Sequence, residues 1–302
     1  MVKSPSSPDD PPADFVPRIV LTPTPAAQVP NQLEDLRASR EVAGPRVTTR
    51  TEAKRHVVVR TIAGGLGAAV EDLDRAIQLA LADEPRGVVC DLSAVLEGAE
   101  PEAVRVLAAV GRHVREWPGM PVAVACPHVR VRDALRADPL GANLIVTTEL
   151  LPAVSAVLAT PTPVLMRLLL SPHPTASRAS RAFVAQALTE WGLWSVLPAA
   201  SVVISELVTN STVHAGTDIA ISVAWDRHSI RLTVRDRSPQ QPIRRHALLE
   251  VHGRGLSIVA GFSRAMGVLP TADGGKVVWA VLDVPEQRDV DRPKVASTRS
   301  SA

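Results

Sequence analysis

Residues 206–215 read Glu206-Leu-Val-Thr-Asn210-Ser-Thr-Val-His214-Ala, inside the longer run PAASVVISELVTNSTVHAG at 198–216. The run has a helical rhythm and closes on Gly216, a residue type favoured just past a helix end. On a helix, Glu206, Asn210 and His214 fall at i, i+4 and i+8 and line up along one stripe. Val203, Leu207 and Val213 face elsewhere and are expected in the core. A carboxylate, an amide and an imidazole in a row form either a solvated polar face or one wall of a binding site. The stripe alone leaves both readings open.

Working outward, the preceding run TASRASRAFVAQALTEWG at 175–192 places Ala176, Ala179, Phe183, Ala187 and Trp191 on one helical face and ends at Gly192. Two strands follow, DIAISVAWD and SIRLTVRD, joined tightly through Asp226, Arg227 and His228. Asp236 ends the second strand, where a carboxylate either accepts a hydrogen bond from an exocyclic amine or caps a turn. Gly253-Arg254-Gly255-Leu256 then opens the run HGRGLSIVAGFSRAMG, expected as a helix. Glycines there let backbone approach a ligand, and the helix start offers free N–H groups to phosphate. An ordinary helix-start turn has the same composition. KVVWAVLDV, from Lys276, is the last expected strand.

In the first half, HVVVRTIAGGL, RGVVCDLSAV, MPVAVACP and LIVTT read as strands. VEDLDRAIQLALADE, with Val70, Leu73, Ile77 and Leu81 on one stripe, PEAVRVLAAVGRHVREW, VRVRDALRADPLG and LLPAVSAVLA read as helices. Strand alternating with helix implies an α/β domain. Residues 1–54 and 288–302, rich in polar residues and without a sustained period, are expected to be a disordered arm and tail. The ATPTPV run at 159–164 marks a linker, assigned to 161–174, between domains at 55–160 and 175–287.

Composition narrows the function. With 33 basic and 31 acidic residues the net charge is only +2, which offers no footprint for nucleic acid. Aromatics are 3% and Tyr is absent, so the cores must be built from Val, Leu, Ile and Ala. Cys90 and Cys126 sit in apolar runs without a C-x-x-C motif, which argues against a redox or zinc site. No H-E-x-x-H is present. The opening MVKSPSSPDDPPADF lacks a secretory apolar core. The most apolar window, 144–170, is broken by Glu149, Pro152, Pro161, Pro163 and Arg167 and cannot span a bilayer. A soluble, cytoplasmic protein with no membrane partner is the expectation.

Order and spacing combine these signals. E-L-V-x-N-x-x-x-H-A, a strand-end Asp, G-R-G-L and G-K-x-V-W, over about 170–285, resemble the GHKL ATPase superfamily. Within it the chain resembles the anti-sigma-factor serine/threonine kinases of actinobacterial type, whose EWGL turn matches Glu190 to Leu193. The resemblance implies a Bergerat-type two-layer α/β sandwich, a mixed sheet covered on one face by helices. It implies ATP and Mg²⁺ as cofactors, with Asn210 as the Mg²⁺ ligand and Glu206 as the catalytic base for a substrate serine. It further implies that Asp236 reads the adenine amine, that Gly253, Arg254, Gly255 and Leu256 form the phosphate lid, and that His214 supports the site. The sequence departs from the pattern where Asp236-Arg-Ser-Pro239 lacks the usual glycine and where Val277 stands for the usual Thr. Loss of that hydroxyl is expected to remove one hydrogen bond near the adenine, about 1 kcal/mol.

Residues 55–160 resemble a STAS domain, the anti-anti-sigma-factor fold, through VVVRTIAGGL, Val88-Val-Cys-Asp91-Leu-Ser93, VAVACP and VRDAL. Where phosphorylatable members carry a serine at a helix start, this chain reads Glu97-Gly-Ala-Glu100-Pro-Glu102-Ala, with no hydroxyl. Glu100 and Glu102 either imitate a phosphoserine or are ordinary helix-start acids. The resemblance implies a kinase that phosphorylates a separate anti-anti-sigma (STAS) protein, sequesters a sigma factor, pairs with its own STAS-like domain and forms a homodimer. The alternative is an ATP-binding regulatory interaction module without phosphotransfer, controlled by that fused domain. A sensor histidine kinase core lacks its dimerisation helix with a phosphoacceptor His, since neither His56 nor His113 sits in such a hairpin. A transcription factor lacks its basic recognition helix.

Overall fold

The computed structural model describes residues 18–21, 47–51, 57–64, 66–95, 101–117, 119–239 and 255–285. In chain order its elements begin with β1 (Arg18–Leu21), β2 (Val47–Thr51), β3 (Val57–Gly64), α1 (Leu66–Ala82), β4 (Gly87–Val95) and α2 (Pro101–Glu116). There follow β5 (Val122–Ala125), α3 (Val129–Ala137), β6 (Ile145–Thr147) and α4 (Leu150–Ala159). The second half contributes β7 (Val164–Leu170), α5 (Ala176–Glu190), α6 (Leu197–His214), β8 (Ile219–Trp225), β9 (Ser229–Asp236), α7 (Gly255–Phe262), β10 (Ala265–Pro270) and β11 (Lys276–Asp283).

The first domain is an α/β layer structure on a sheet ordered β2-β3-β4-β5-β6. Only the β2–β3 pairing is antiparallel; the rest are parallel. Val57, Val59, Val89, Ala123 and Ala125 pack beneath Ala153, Val154 and Val157 of α4. Val58, Val88, Cys90, Val122 and Val124 pack on the other face with Leu73, Ile77 and Leu81 of α1 and Leu107 and Val110 of α2. Strands covered on both faces must be apolar throughout, which explains the unbroken runs in the sequence. This is the α/β layout that the alternation of strand and helix implies.

The second domain has a six-stranded sheet ordered β1-β7-β8-β9-β11-β10. Its pairings are all antiparallel, a correction to the mixed sheet expected. Side chains alternate along β11. Val278, Ala280 and Leu282 face α5, α6 and α7 in one core, while Val277, Trp279 and Val281 face the first domain in another. Helices therefore cover one face, as expected, but α1 and α2 of the first domain close the other.

The remaining differences have local causes. Val164–Leu170, assigned to the linker, is the strand β7, bonded along its length to β8. Its pattern Val-Leu-Met-Arg-Leu-Leu-Leu was overshadowed by Pro161 and Pro163. The expected helix from 252 ends at Phe262, because Ala265–Pro270 pairs with Val281–Lys276 of β11 instead. β1 and β2 lie within the arm expected to be disordered and add to sheet edges at β7 and β3. Edge addition draws on backbone bonds and needs little side-chain period. Val213, expected in the core, is 67% exposed on the last turn of α6.

Candidate functional site

Helix α6 organises the region. Pro198 sits in its first turn, and Ala200, Val203, Ile204, Leu207, Val208 and Ser211 are buried against the sheet and α5. Glu206 and Asn210 lie half-buried along the flank of this apolar face. His214 is exposed at the helix end.

The flank that carries Glu206 faces α7. A Cβ placed on Gly255, the first residue of α7, would come within 2.6 Å of Glu206 Oε2. A side chain at this position would have to push the carboxylate end of Glu206 aside. A carboxylate at a helix start is favoured by the free N–H groups and the dipole there. Leu256 packs into the core of the second domain. Gly253 and Arg254 lie outside the described residues. So do Glu97 and Glu100.

The buried side of α6 faces Asp236. Ser211 Oγ donates to Asp236 Oδ2 at 2.8 Å. Lys276 stands directly opposite Asp236 in the β9–β11 register and its Nζ donates to Asp236 Oδ1 at 2.7 Å. The backbone N–H of Ser238 donates to the same oxygen at 3.0 Å, and Lys276 Nζ also reaches the Ser238 carbonyl at 3.2 Å. The Asp236 side chain is fully buried and that of Lys276 nearly so. The strand entry is fixed by Gly275, where a Cβ would lie 2.2 Å from the Asp236 carbonyl oxygen.

One helix thus touches both expected parts of the site: Glu206 beside Gly255, and Ser211, the neighbour of Asn210, on Asp236. The Asp236 side chain is enclosed, with 0% exposure, whereas Glu206 and Asn210 are half-buried. Val277 needs a correction. Its side chain points to the first domain, so a threonine there would not approach Asp236. Position 276 is the one that faces it. Sequence reasoning missed Lys276 and Ser211, although pairing the ends of the two strands would have placed Lys276 opposite Asp236.

The Asp236 carboxylate accepts three hydrogen bonds within the chain, two on Oδ1 from Lys276 and Ser238 and one on Oδ2 from Ser211, which leaves one acceptor position on Oδ2. The amide of Asn210 is a suitable hard oxygen ligand for Mg²⁺. Among the described residues no group of three or more His, Cys, Asp and Glu could hold a metal ion.

The other face of the sheet carries a second charged cluster. Glu84, after α1, pairs with Arg167 at 3.1 Å and Arg231 at 3.6 Å and accepts from Ser222 Oγ at 2.6 Å. Burial lowers the pKa of the Arg231 guanidinium, and Glu84 opposes that shift. A cleft of about 410 Å³ opens beside this cluster, lined by Asp83, Glu84, Arg167, Ser222, Thr233 and Arg235. It lies on the face of the sheet away from Asp236.

Among the described residues no helix is long and apolar enough to cross a membrane. No family model and no curated protein matches the sequence. Among solved structures, the chain is similar to an RsbS variant from Moorella thermoacetica, at 20% identity over 37% of this chain and 94% of that one, with a TM-score of 0.30. It is similar also to an anti-sigma factor antagonist from Mycobacterium paratuberculosis, at 26% identity over 38% of this chain and 98% of that one, again with a TM-score of 0.30.

Proposed function

We propose that this protein is a regulatory interaction module of the anti-sigma type, which binds its protein partners without transferring phosphate and is controlled by its fused STAS-like domain. The observation that carries this reading is the shared core between the domains. Leu269, Val277, Trp279 and Val281 of the second sheet are buried with α1 and α2 of the first domain. A fused domain that completes its neighbour's core is placed to set that neighbour's conformation. The partners proposed are a separate STAS protein and a sigma factor.

A serine/threonine kinase using ATP and Mg²⁺ is the second reading, favoured by Glu206 and Asn210 lying on adjacent turns of α6, with Glu206 beside the start of α7. Incubating the full chain with STAS proteins, sigma factors and radiolabelled ATP separates the two. The expected result is a stable complex by gel filtration with no label on any partner. Label on a STAS protein that disappears with Glu206→Ala would establish the kinase instead.

A further inference from the structure

We infer that the outer edge of β7 is a strand-addition site for an extended segment of a protein partner, and that β1 occupies it in cis as an exchangeable placeholder. This deepens the proposed interaction module by naming where a protein adds to it, and it rests on that reading for the partner's identity. β7 has seven residues, and β8 pairs with all of them from Val164 to Leu170. That side of the strand is complete. On the other side the four residues of β1 pair with Leu169, Leu168, Arg167 and Met166. Among the described residues, Val164, Leu165 and Leu170 have no strand partner on this side. An edge paired over part of its length offers its remaining N–H and C=O groups to another chain.

Three features set β1 apart from a fixed member of the sheet. Pro17 and Pro23 bracket it, and proline has no N–H to give to a ladder, so neither position adds a donor to the pairing. β1 is also the end strand of its sheet, joined through residues 22–46 to β2, which belongs to the other sheet. Its departure breaks only the ladder to β7. Finally, the register sets Arg18 opposite Leu169, which is 47% exposed and lines the cleft of about 410 Å³. A partner segment of the full length of β7, without internal proline and with an apolar residue opposite Leu169, would form a longer ladder and cover that side chain. Val164, 39% exposed at the unpaired end, offers a second apolar contact. Ladder length and apolar cover favour the partner, whereas the tether gives β1 a high effective concentration. These opposing effects make the exchange reversible.

The test is fluorescence anisotropy of labelled peptides with the full chain. One peptide carries residues 14–26 of the arm, and a second carries the same segment with Pro17→Thr and Pro23→Thr. In the full chain, Ile19→Pro and Val20→Pro are combined. Adjacent N–H groups point to opposite sides of a strand, so the double change removes a donor toward β7 whichever way β1 faces. This variant is expected to stay folded by circular dichroism and to bind the arm peptide at least about tenfold more tightly than wild type does, since no tethered strand competes. The peptide lacking the two prolines should bind it more tightly still. A peptide carrying Ile19→Pro and Val20→Pro should bind neither chain. Deuterium exchange of the amides at 164–170 should rise in the variant and fall again with peptide. Equal binding to wild type and variant overturns the proposal, as does a folded variant that takes no peptide or whose exchange at 164–170 ignores it. Unfolding of the variant would make β1 an integral strand and overturn it as well. A variant that pairs with a second copy in gel filtration and takes no peptide would assign the edge to that copy, again against the proposal. Failure of the complex with STAS proteins or sigma factors would remove the regulatory reading and leave these peptide measurements unaffected.

Discussion

Trp117, at the end of α2, meets Trp279 of β11 edge to face, with ring centroids 5.4 Å apart and planes inclined by 72°. The guanidinium of Arg231 lies 4.5 Å from the centre of the Trp117 ring on the same seam. Two tryptophans and an arginine from different domains, all buried, mark a core and not a docking contact. The linker is tied down too: Arg86 donates to the carbonyls of Leu158 and Thr160 at 2.8 Å and to the Thr162 hydroxyl.

Residues 161–288 expressed alone should therefore not behave as a soluble domain. Removing the first domain uncovers Leu269, Val277, Trp279 and Val281 together with the buried Arg231. A contiguous apolar face of this kind drives association. The expected outcome is inclusion bodies or soluble aggregates by light scattering, rescued by co-expressing residues 1–160. A monomeric fragment with the thermal stability of the full chain would contradict the shared core.

Replacing Glu84 by Gln should destabilise the protein by about 3 kcal/mol, because Arg231, 3% exposed, loses its buried counter-charge. Glu84 holds φ at 50°, an uncommon backbone state for a residue with a side chain, and the contacts to Arg167, Arg231 and Ser222 keep it there. Asp83→Asn, one residue earlier, cuts a pair with Arg235 in which the Asp83 side chain is 56% exposed. That change should cost under about 1 kcal/mol. Urea denaturation of both variants checks the contrast; equal losses would show that the Glu84 cluster is not buried in the folded protein.

Much of this architecture was legible because apolar period reports burial. Leu73, Ile77 and Leu81 fall on one buried helical face, as do Ala176, Phe183 and Ala187. What the sequence concealed is pairing between distant segments. Nothing local to Lys276 announces that it faces Asp236, since the match depends on the β9–β11 register. Val213 sits at a position that looks internal by type, yet the last turn of α6 runs beyond the sheet and leaves it 67% exposed. The covering of the second sheet by the first domain was hidden for the same reason. Alternation shows that both faces of β11 are apolar, and it does not say what lies on either side. At the expected site, Glu206 and Asn210 lie one turn apart on α6, while the enclosure of Asp236 depends on three donors, of which only Lys276 falls in a quoted motif, where its pairing with Asp236 is not visible.

The Cys90 thiol should be inert in the native protein. It is fully buried, and burial pushes its pKa up to about 12, with Arg60 opposing the shift. Nucleophilic thiolate is then scarce at neutral pH. Cys126 is also buried, and burial raises its pKa as well. Iodoacetamide should leave both unmodified in the folded chain, and both should react after unfolding in guanidinium chloride. Modification of Cys90 at the rate of a free thiol in the native state would mean that the face of the first sheet toward α1 opens readily.

The contact between α1 and α2 should confer a pH dependence on stability. Asp74 accepts from His113 Nε2 at 2.7 Å and from Gln78 Nε2 at 2.6 Å. The hydrogen bond from His113 holds the Asp74 carboxyl below its ordinary value of 3.8, with burial pulling the other way. A carboxyl whose pKa is depressed on folding stabilises the native state fully above its unfolded value. That contribution is lost as pH falls through the folded value. Asp74 is 38% exposed, so solvent screening keeps the effect under about 1 kcal/mol. Asp74→Asn keeps an acceptor for His113 and removes the charge. Denaturation midpoints of wild type and variant should therefore differ above about pH 4 and converge below it. A gap that stays constant down to low pH would show that the Asp74 charge contributes nothing to holding α1 against α2.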